Sequence, residues 1–379
     1  MDGLRAIAII LVIIWHYVLN LTVAAPGSHL QNYLVLGRLT WSGVDLFFVL
    51  SGFLIGGILL DAKNSDHFFK AFYLRRIYRI LPLYLAFLAT IFIVNWTVTL
   101  PVELASFSVK SGMSPVYYLT LSQNLWMGIN NDFGADVLAV TWSLSIEEQF
   151  YLILPLIVRF TNRKALKWFI LGAILVSICS RIILFQNFPQ YNLTTYVLLI
   201  CRVDALMLGV AGALLVRSER GGAVLLRFRW VLVFALVVLG GGILLATFRY
   251  WTIGTFPMVS IGYTWLALFY LCLLLLGISK RDTWIGKVLS LRPLVWIGGL
   301  AYGLYLLHQP VLRLCYWLFL SERPRISSPI ELAIMLLAAF LALLLSVASW
   351  KFFERPFVEK GHRFKYDSET QVQRLDAAA

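Results

Sequence analysis

Two residues near the start of the chain combine reactive chemistry with an unusual setting. Arg5 and His16 lie eleven residues apart in GLRAIAIILVIIWHYVLN, a segment that is otherwise almost entirely apolar. Eleven helical residues complete about three turns, so both side chains are expected on one helix face, roughly 16 Å apart. A neutral imidazole can act as a general base near neutral pH. The spacing fits a catalytic base and a hydrogen-bonded structural histidine equally well.

Other reactive groups are expected at a similar depth. Asp45 begins the apolar segment GVDLFFVLSGF, and Glu147 lies about one turn into TWSLSIEEQFYLILP. Glu147 and Tyr151 share a helix face because they are four residues apart, whereas Glu148 is rotated by about 100°. A third segment, AYGLYLLHQPV, carries Tyr302, Tyr305 and His308. A histidine near a carboxylate is the usual equipment of a general base, so these residues are candidates for a site around His16.

A basic cluster occupies the segment FYLRRIYRILP. Arg75, Arg76 and Arg79 fall within about a 100° arc if the segment is helical. Guanidinium forks match phosphate oxygens, which favours a phosphate clamp. Binding of anionic lipid headgroups is the alternative. The sequence has no Walker loop or GxGxxG motif, so a nucleotide-hydrolysing motor is not indicated.

Four further charged residues lie inside apolar segments, where charge is costly and often functional. Arg202 and Asp204, in CRVDALMLG, are expected to pair with residues of other segments. Arg181 and Arg313 are expected to be structural, or to extend their charged ends toward the membrane surface.

The composition identifies the class of protein that must position these residues. The 379 residues are 60% hydrophobic and only 13% charged, with a mean hydropathy of +0.81. Apolar runs of about 18 residues or more recur, each long enough to cross a bilayer as a helix. They do not alternate every second residue, as the strands of an outer-membrane barrel do. An all-α, polytopic integral membrane protein is therefore predicted, with ten spans at 4–24, 42–60, 81–99, 142–160, 168–187, 195–216, 231–248, 258–279, 294–320 and 329–353.

The charges predict an orientation for these spans. If the N-terminus is cytoplasmic, 24 of the 32 Lys and Arg residues fall on the cytoplasmic side and five fall in outer loops. Positive residues are concentrated on the cytoplasmic side of membrane proteins. Both termini are therefore expected in the cytoplasm, with the loop 100–141 outside. The net charge of +13 is explained in this way, and a nucleic-acid partner is not indicated.

Several other features constrain the class. The four cysteines, Cys179, Cys201, Cys272 and Cys315, lie in apolar runs and are expected to be buried hydrophobes without disulfide or metal spacing. The first span lacks the basic start and small-residue cleavage site of a secretory signal. No internal repeat of the kind found in inverted-repeat transporters is visible.

The motifs together resemble the acyltransferase-3 superfamily of bacterial membrane O-acyltransferases. Its R-x10-H motif reads RAIAIILVIIWH here, from Arg5 to His16. The match continues through GVDLFFVLSGFLIGGIL, RRIYRILP, TWSLSIEEQFYLILP, RVDALMLG, YGLYLLH and FFERP. It implies a transmembrane domain over 1–357, followed by a short polar cytoplasmic tail over 358–379. The closing LDAAA is not assigned to the fold.

The resemblance implies an activity, with roles for the candidate residues. The protein would transfer an acyl group, acetyl being favoured, from cytoplasmic acyl-CoA to a hydroxyl of a cell-surface carbohydrate or lipid-linked sugar. It would lie in the bacterial inner (cytoplasmic) membrane among its lipids, with acyl-CoA as co-substrate, no bound cofactor and no metal. His16 would be the base, with Arg5, Glu147 and Asp45 as further catalytic residues. The other implied roles are acyl-CoA binding by Arg75, Arg76 and Arg79, and acceptor binding by Tyr302, Tyr305 and His308.

Other functions are compatible with the same residues. In a proton-coupled transporter or flippase, His16 would be a proton relay, and a lipid-binding scaffold would need no buried histidine. Direct attack of the hydroxyl and a covalent acyl-histidine are both open. The acceptor, the acyl chain and the oligomeric state are not determined by the sequence. Some members of the superfamily append a periplasmic SGNH-type, esterase-like domain, which is not expected here. Only four residues precede Arg5, which leaves open whether native residues come before Met1.

Overall fold

A computed structural model describes residues 1–23, 28–97, 109, 112–249, 251–279 and 284–367 of the chain. Over these residues the regular secondary structure is helical. The β-type pairing seen there is a single bridge between Thr22 and Ile326. The prediction of an all-α fold is therefore confirmed for the described part of the chain.

The helices follow one another closely along the chain. They are α1 Asp2–Ile13, α2 His29–Gly37, α3 Gly43–Asp61, α4 Phe68–Thr97, α5 Pro115–Leu119, α6 Gln123–Asn130, α7 Asp136–Ala139, α8 Thr141–Phe160, α9 Arg163–Asn187, α10 Thr194–Val197, α11 Leu199–Val216, α12 Gly221–Arg227, α13 Arg229–Phe248, α14 Tyr263–Ser279, α15 Trp284–Leu289, α16 Arg292–Gly299, α17 Ala301–Leu320, α18 Pro329–Ser349 and α19 Arg355–His362. Wider π-helical turns cover Ile14–Leu19, Met258–Gly262 and Trp350–Glu354, and 3₁₀ turns cover Thr40–Ser42 and Pro189–Tyr191.

Nine helical stretches within the described ranges are long and apolar enough to cross a membrane. They correspond to nine of the ten predicted spans. The remaining predicted span, 294–320, is divided at Leu300 into α16 and α17. The 20 residues of α17 can reach across a bilayer, but its Tyr, His, Gln and Arg side chains reduce its apolar character. The chain is thus a multi-pass helical membrane protein in which α17 brings polar groups into the bundle.

The division of the predicted ninth span has a steric reason. Helix α16 packs against α1. A Cβ atom on Gly298 would lie 1.9 Å from the carbonyl oxygen of Asp2, so only glycine permits this approach. The chain then begins a new helix at Ala301, which directs α17 alongside α18 and α1. The break therefore places the start of α17 beside the start of α1.

A close pair of helices, α3 and α11, forms the centre of the bundle. A Cβ on Gly52 would lie 1.9 Å from the carbonyl oxygen of Leu206, and one on Gly209 would lie 2.2 Å from that of Val49. Small residues permit such contacts in membranes, where dispersion forces and interhelical hydrogen bonds hold helices together. Helices α1 and α8 pack on the same α3, so α3 fixes their relative position.

The lipid-facing helices carry apolar side chains on their outer surface. Three of the four cysteines are buried as predicted, whereas Cys179 is exposed on α9. Leu175, Val176 and Ile183 of the same helix are also exposed. Cys179 was predicted to be buried because its neighbours are apolar, but an apolar side chain on an outer helix can face lipid instead of protein.

The C-terminal residues pack against the basic part of α4. Helix α19 contacts α4, and after it Arg75 donates a hydrogen bond from Nε to the carbonyl of Phe364 at 2.8 Å. The Arg75 guanidinium also lies 4.8 Å from the centre of the Tyr366 ring. Burial raises the pKa of the Tyr366 phenol, against the opposing effect of the Arg75 charge, so this ring is neutral at physiological pH. Residues 368–379 of the predicted polar tail lie outside the described residues.

The predicted outer loop, 100–141, is partly described. Residues 98–108 and 110–111 lie outside the described ranges. Most of the remainder forms the short helices α5, α6 and α7, which lead directly into α8. Helix α7 also contacts α17.

Candidate active site

A cavity of about 140 Å³ opens between α1, α3, α4, α8, α16 and α17. Six of the ten predicted site residues line it, whereas His16, Asp45, Arg75 and His308 do not. Its polar lining consists of Arg5, Ser51, Arg76, Arg79, Ser143, Glu147, Tyr151, Tyr302 and Tyr305. The helices that the sequence predicted to carry chemistry therefore do converge on one space.

One end of the cavity is cationic. Arg5, Arg76 and Arg79 all line it, and Arg5 holds Asp2 at 2.7 Å. In the described part of the chain, no carboxylate lies within ion-pair distance of Arg76 or Arg79. Arg75 is oriented away from the cavity, toward Phe364 and Tyr366. Of the three arginines predicted to form a phosphate clamp, Arg76 and Arg79 line the cavity together with Arg5 from α1, whereas Arg75 does not.

Another part of the lining carries a carboxylate and hydroxyl groups. The Tyr151 hydroxyl donates to Glu147 Oε2 at 2.8 Å and lies 3.1 Å from Ser51 Oγ. Nearer the start of α8, the Tyr305 hydroxyl donates to the carbonyl of Val140 at 2.8 Å and lies 2.6 Å from Ser143 Oγ. These bonds fix the side chains and join α3, α8 and α17 around the space.

Tyr302 marks the wall nearest α4. Its hydroxyl donates to the carbonyl of Ile80 at 2.8 Å. Ile80 directly follows Arg79, so this bond ties α17 to the part of α4 that carries the cavity arginines. Tyr302 and Tyr305 thus lie where the sequence expected site residues, on the wall of the cavity formed by α17.

Two histidines lie next to each other beyond Tyr305. Nε2 of His308 is 3.3 Å from Nδ1 of His16, and the ring centres are 5.0 Å apart. His308 is fully buried, and Nδ1 of its ring lies 2.8 Å from the carbonyl of Tyr305. A carbonyl can only accept, so this contact places the proton of His308 on Nδ1 and leaves its Nε2 as an acceptor.

The neighbours of His16 likewise fix the position of its ring proton. Its Nδ1 lies 3.0 Å from the carbonyl of Val12 and faces the acceptor Nε2 of His308. Both neighbours accept, so Nδ1 of His16 carries the proton and Nε2 carries the lone pair. The ring belongs to the π-helical turn Ile14–Leu19, a type of turn that recurs at functional sites. His308, which was predicted to bind the acceptor, lies against His16.

Asp45 lies in a different environment from the one predicted. It is fully buried, and its Oδ1 accepts from Arg202 Nη2 at 2.6 Å. A second buried pair joins Arg181 to Asp204 at 2.9 Å, and Thr264 donates to the same carboxylate. Asp45 does not line the cavity. The predicted pairing of Arg202 and Asp204 with other spans is confirmed. The carboxylate of Asp45 is therefore engaged in an ion pair with Arg202.

Two serines of the cavity were not predicted from the sequence. Ser143 and Ser51 both line it. Ser143, Glu147 and Tyr151 recur at intervals of four residues, so a polar stripe on α8 could have indicated Ser143. Ser51 has no polar residue three or four positions away on α3, so helical spacing could not have indicated it.

The fold and the cavity define a multi-pass membrane protein with a cationic cavity near a histidine pair, of which His308 is fully buried. The chain belongs to the acyltransferase-3 family, whose model, described as "Acyltransferase domain", matches residues 1–351. The resemblance seen in the motifs is thereby confirmed.

Individual relatives are between a quarter and a third identical to the chain over the aligned residues. The peptidoglycan O-acetyltransferase OatA of Listeria monocytogenes is 29% identical over 95% of this chain and 56% of its own length. YrhL of Bacillus subtilis is 29% identical over 96% of this chain and 55% of its own. The O-acetyltransferase OatA of Staphylococcus aureus is 26% identical over 96% and 57%. The chain therefore spans little more than half the length of these relatives. No solved structure matches it significantly.

Proposed function

We propose that the protein is an O-acetyltransferase that moves an acetyl group from cytoplasmic acetyl-CoA to a hydroxyl of a cell-wall glycan. The observation that carries the proposal is the cavity that joins a cationic end to a polar wall at Tyr305, whose ring centre lies 6.0 Å from that of His308, the neighbour of His16. The printed names of the relatives support peptidoglycan as the acceptor class. The protein would lie in the bacterial cytoplasmic membrane with both termini in the cytoplasm.

The cationic end suits the phosphates of the donor. Acyl-CoA carries several phosphate groups, and neither Arg76 nor Arg79 forms an ion pair with a carboxylate among the described residues. Charge-assisted bonds from guanidinium groups to phosphate are short and strong. With the phosphates held there, the flexible pantetheine arm can extend along the cavity toward Glu147 and Tyr305. The thioester would then approach His16 from the cytoplasmic side.

His16 would act as the general base through Nε2. Its Nδ1 proton is held by Val12 and His308, so the lone pair is available at the other ring nitrogen. When Nε2 takes the hydroxyl proton, the ring becomes an imidazolium. The acceptor Nε2 of His308 stabilises this ion through the Nδ1–H bond.

The reaction then balances without a further reagent. The hydroxyl oxygen of the acceptor attacks the thioester carbonyl carbon, and its proton passes to Nε2 of His16. The C–S bond breaks, the new C–O ester bond remains, and the CoA sulfur takes the proton back as a thiol. A covalent acyl-histidine is the alternative, in which Nε2 itself attacks the thioester.

Reconstitution of the purified protein in lipid vesicles tests the proposal. With acetyl-labelled acetyl-CoA and an unacetylated cell-wall glycan, we expect free CoA to appear together with labelled glycan. A transporter or flippase would instead move label or protons across the vesicle membrane without cleaving the thioester. Thioester cleavage that depends on neither glycan nor His16 would overturn the proposal.

A further inference from the structure

Helix α8 presents a hydrogen-bond acceptor to the cavity through Ser143. The Tyr305 hydroxyl lies 2.8 Å from the carbonyl of Val140 and 2.6 Å from Ser143 Oγ, which itself lies 3.3 Å from the same carbonyl. A carbonyl can only accept, so both hydroxyl protons are used inside this group, whichever hydroxyl donates to Val140. Ser143 lines the cavity, and its oxygen therefore keeps a lone pair for a donor that enters.

The Glu147 carboxylate is a second and stronger acceptor on the same helix. It lines the cavity, and one of its oxygens accepts from the Tyr151 hydroxyl at 2.8 Å. This bond fixes the direction of the carboxylate, which has no cationic side chain within ion-pair distance in the described part of the chain. A carboxylate has about four acceptor sites, so Glu147 has capacity for a further donor.

Side-chain contacts between α4 and α8 show how the two helices are oriented. The Tyr73 hydroxyl of α4 donates to the carbonyl of Leu152, in the second half of α8. Further along α4, Gln123 Nε2 donates to the Tyr84 hydroxyl at 3.2 Å and to the carbonyl of Thr141, the first residue of α8, at 3.0 Å. The two helices therefore run in opposite directions.

The two acceptors consequently follow each other along the cavity. Glu147 lies at the level of the turn of α4 that carries the cavity arginines, and Ser143 lies four residues, or a rise of about 6 Å, away from that level. Ser143 is in contact with Tyr305, whose ring centre lies 6.0 Å from that of His308. The acceptors are therefore arranged in series, Glu147 toward the cationic end and Ser143 toward His308.

The pantetheine arm of CoA carries a matching pair of donors. Its two amide groups supply the N–H donors between the phosphates and the thioester, and their nitrogens are about 5 Å apart when the arm is extended. An N–H group that leaves water without finding an acceptor is costly. Two acceptors spaced about 6 Å apart along α8 allow each amide to find one.

We infer that Glu147 and Ser143 bind the two amide N–H groups of pantetheine and so select donors that carry this arm. The inference rests on the proposed function, because it concerns the donor of that same reaction. With the phosphates at Arg76 and Arg79, the amide nearer the phosphates bonds to Glu147, and the amide nearer the sulfur bonds to Ser143. The thioester then lies one ethylene group beyond Ser143, on the side of His308.

Two analogues of acetyl-CoA test the inference, each with one amide N–H replaced by CH₂. The first analogue is altered at the amide nearer the phosphates, and the second at the amide nearer the sulfur. We expect the wild-type protein to bind the first about tenfold or more weakly than acetyl-CoA, because a bond to a charged group is lost. The second should bind about two- to tenfold more weakly, because that bond joins neutral groups. The measurement is the equilibrium dissociation constant of each compound with the purified protein.

Each acceptor should control one analogue only. Glu147→Ala should bind acetyl-CoA and the first analogue equally, and should still discriminate against the second. Glu147→Gln keeps the size of the side chain and a neutral acceptor, so it should retain part of the first discrimination. Ser143→Ala should abolish the second discrimination only. Glu148→Gln is the matched control from the same helix, because Glu148 does not line the cavity, and it should bind all three compounds like the wild type.

The outcomes distinguish this inference from the proposed function. If the acetyl group of acetyl-CoA is transferred but both analogues bind as tightly as acetyl-CoA, the inference is wrong and the proposed function stands. If the wild-type protein neither binds acetyl-CoA nor transfers its acetyl group, both are wrong. A lower kcat in Glu147→Ala, with unchanged affinity for all three compounds, would overturn the inference and give Glu147 a direct part in acetyl transfer.

Discussion

Nε2 of His308 lies 3.3 Å from Nδ1 of His16, although the two residues are 292 positions apart in the chain. The contact joins the π-helical turn after α1 to the middle of α17. Tyr17 strengthens it, because its hydroxyl donates to the carbonyl of His308 at 2.7 Å. One histidine thereby sets the proton position of the other.

His16→Ala should abolish acetyl transfer while the protein still inserts and binds acetyl-CoA. Loss of a general base costs about 10²–10⁴-fold in rate. The measurement is transfer of labelled acetyl to the glycan by purified, monodisperse protein, with acetyl-CoA binding measured on the same sample. A rate within a few-fold of the wild type would return His16 to the structural interpretation.

His308→Phe should lower kcat without changing the KM for acetyl-CoA. The variant keeps a ring in the buried site but removes the acceptor for Nδ1–H of His16, and a hydrogen bond to a group that becomes charged is worth about tenfold in rate or more. Tyr17→Phe is the milder control, because it removes only the hydroxyl that supports His308.

A double mutant separates positioning from an independent role of His308. If His308 acts through His16, the variant with both His16→Ala and His308→Phe should be no slower than His16→Ala alone. A further loss in the double mutant would indicate that His308 contacts the substrate directly.

Hydropathy and charge alone could predict the all-α membrane fold, because apolar runs report helix length directly. Hydropathy and charge do not predict that α16 and α17 are separate helices, since the break depends on the approach of Gly298 to Asp2. Helical spacing placed Glu147 and Tyr151 together correctly, because both lie on one helix.

Contacts between helices were harder to predict. Asp45 and Glu147 appeared equivalent by depth, yet one is neutralised by Arg202 and the other lines the cavity. Depth along a span follows from the sequence, whereas the direction of a side chain around the bundle depends on which helices become neighbours. For the same reason Arg75 could not be distinguished from Arg76.

The arginines of α4 should differ in their effect on donor binding. Arg79→Ala is expected to raise the apparent dissociation constant for acetyl-CoA about tenfold or more, since a bond to a charged group contributes about 1.5–3 kcal/mol. Arg76→Ala should act in the same direction. Arg75→Ala is the matched control from the same helix, and it should leave acetyl-CoA affinity unchanged because Arg75 contacts Phe364 and Tyr366. If all three variants bind acetyl-CoA like the wild type, the arginines serve lipid headgroups instead.

The orientation of the spans can be tested by labelling. Asn130 is exposed at the end of α6, in the segment predicted to lie outside. In a variant without the four native cysteines, Asn130→Cys should react with a membrane-impermeant maleimide in intact cells. A cysteine replacing Lys164, which is exposed at the start of α9, should react only after the inner face is opened. The reverse pattern would invert the predicted topology.

Asp45 is expected to stabilise the folded protein and to take no direct part in the reaction. Its carboxylate and the Arg202 guanidinium are both fully buried and bonded at 2.6 Å. Removing one partner of such a pair leaves an uncompensated buried charge, which costs about 3–5 kcal/mol. Asp45→Ala should therefore lower the unfolding temperature in detergent strongly, and replacing both residues, as in Asp45→Leu with Arg202→Met, should recover much of the loss. At a temperature where the double variant is folded, its acetyl transfer should approach that of the wild type. A stable double variant without transfer activity would instead give Asp45 or Arg202 a direct part in the reaction.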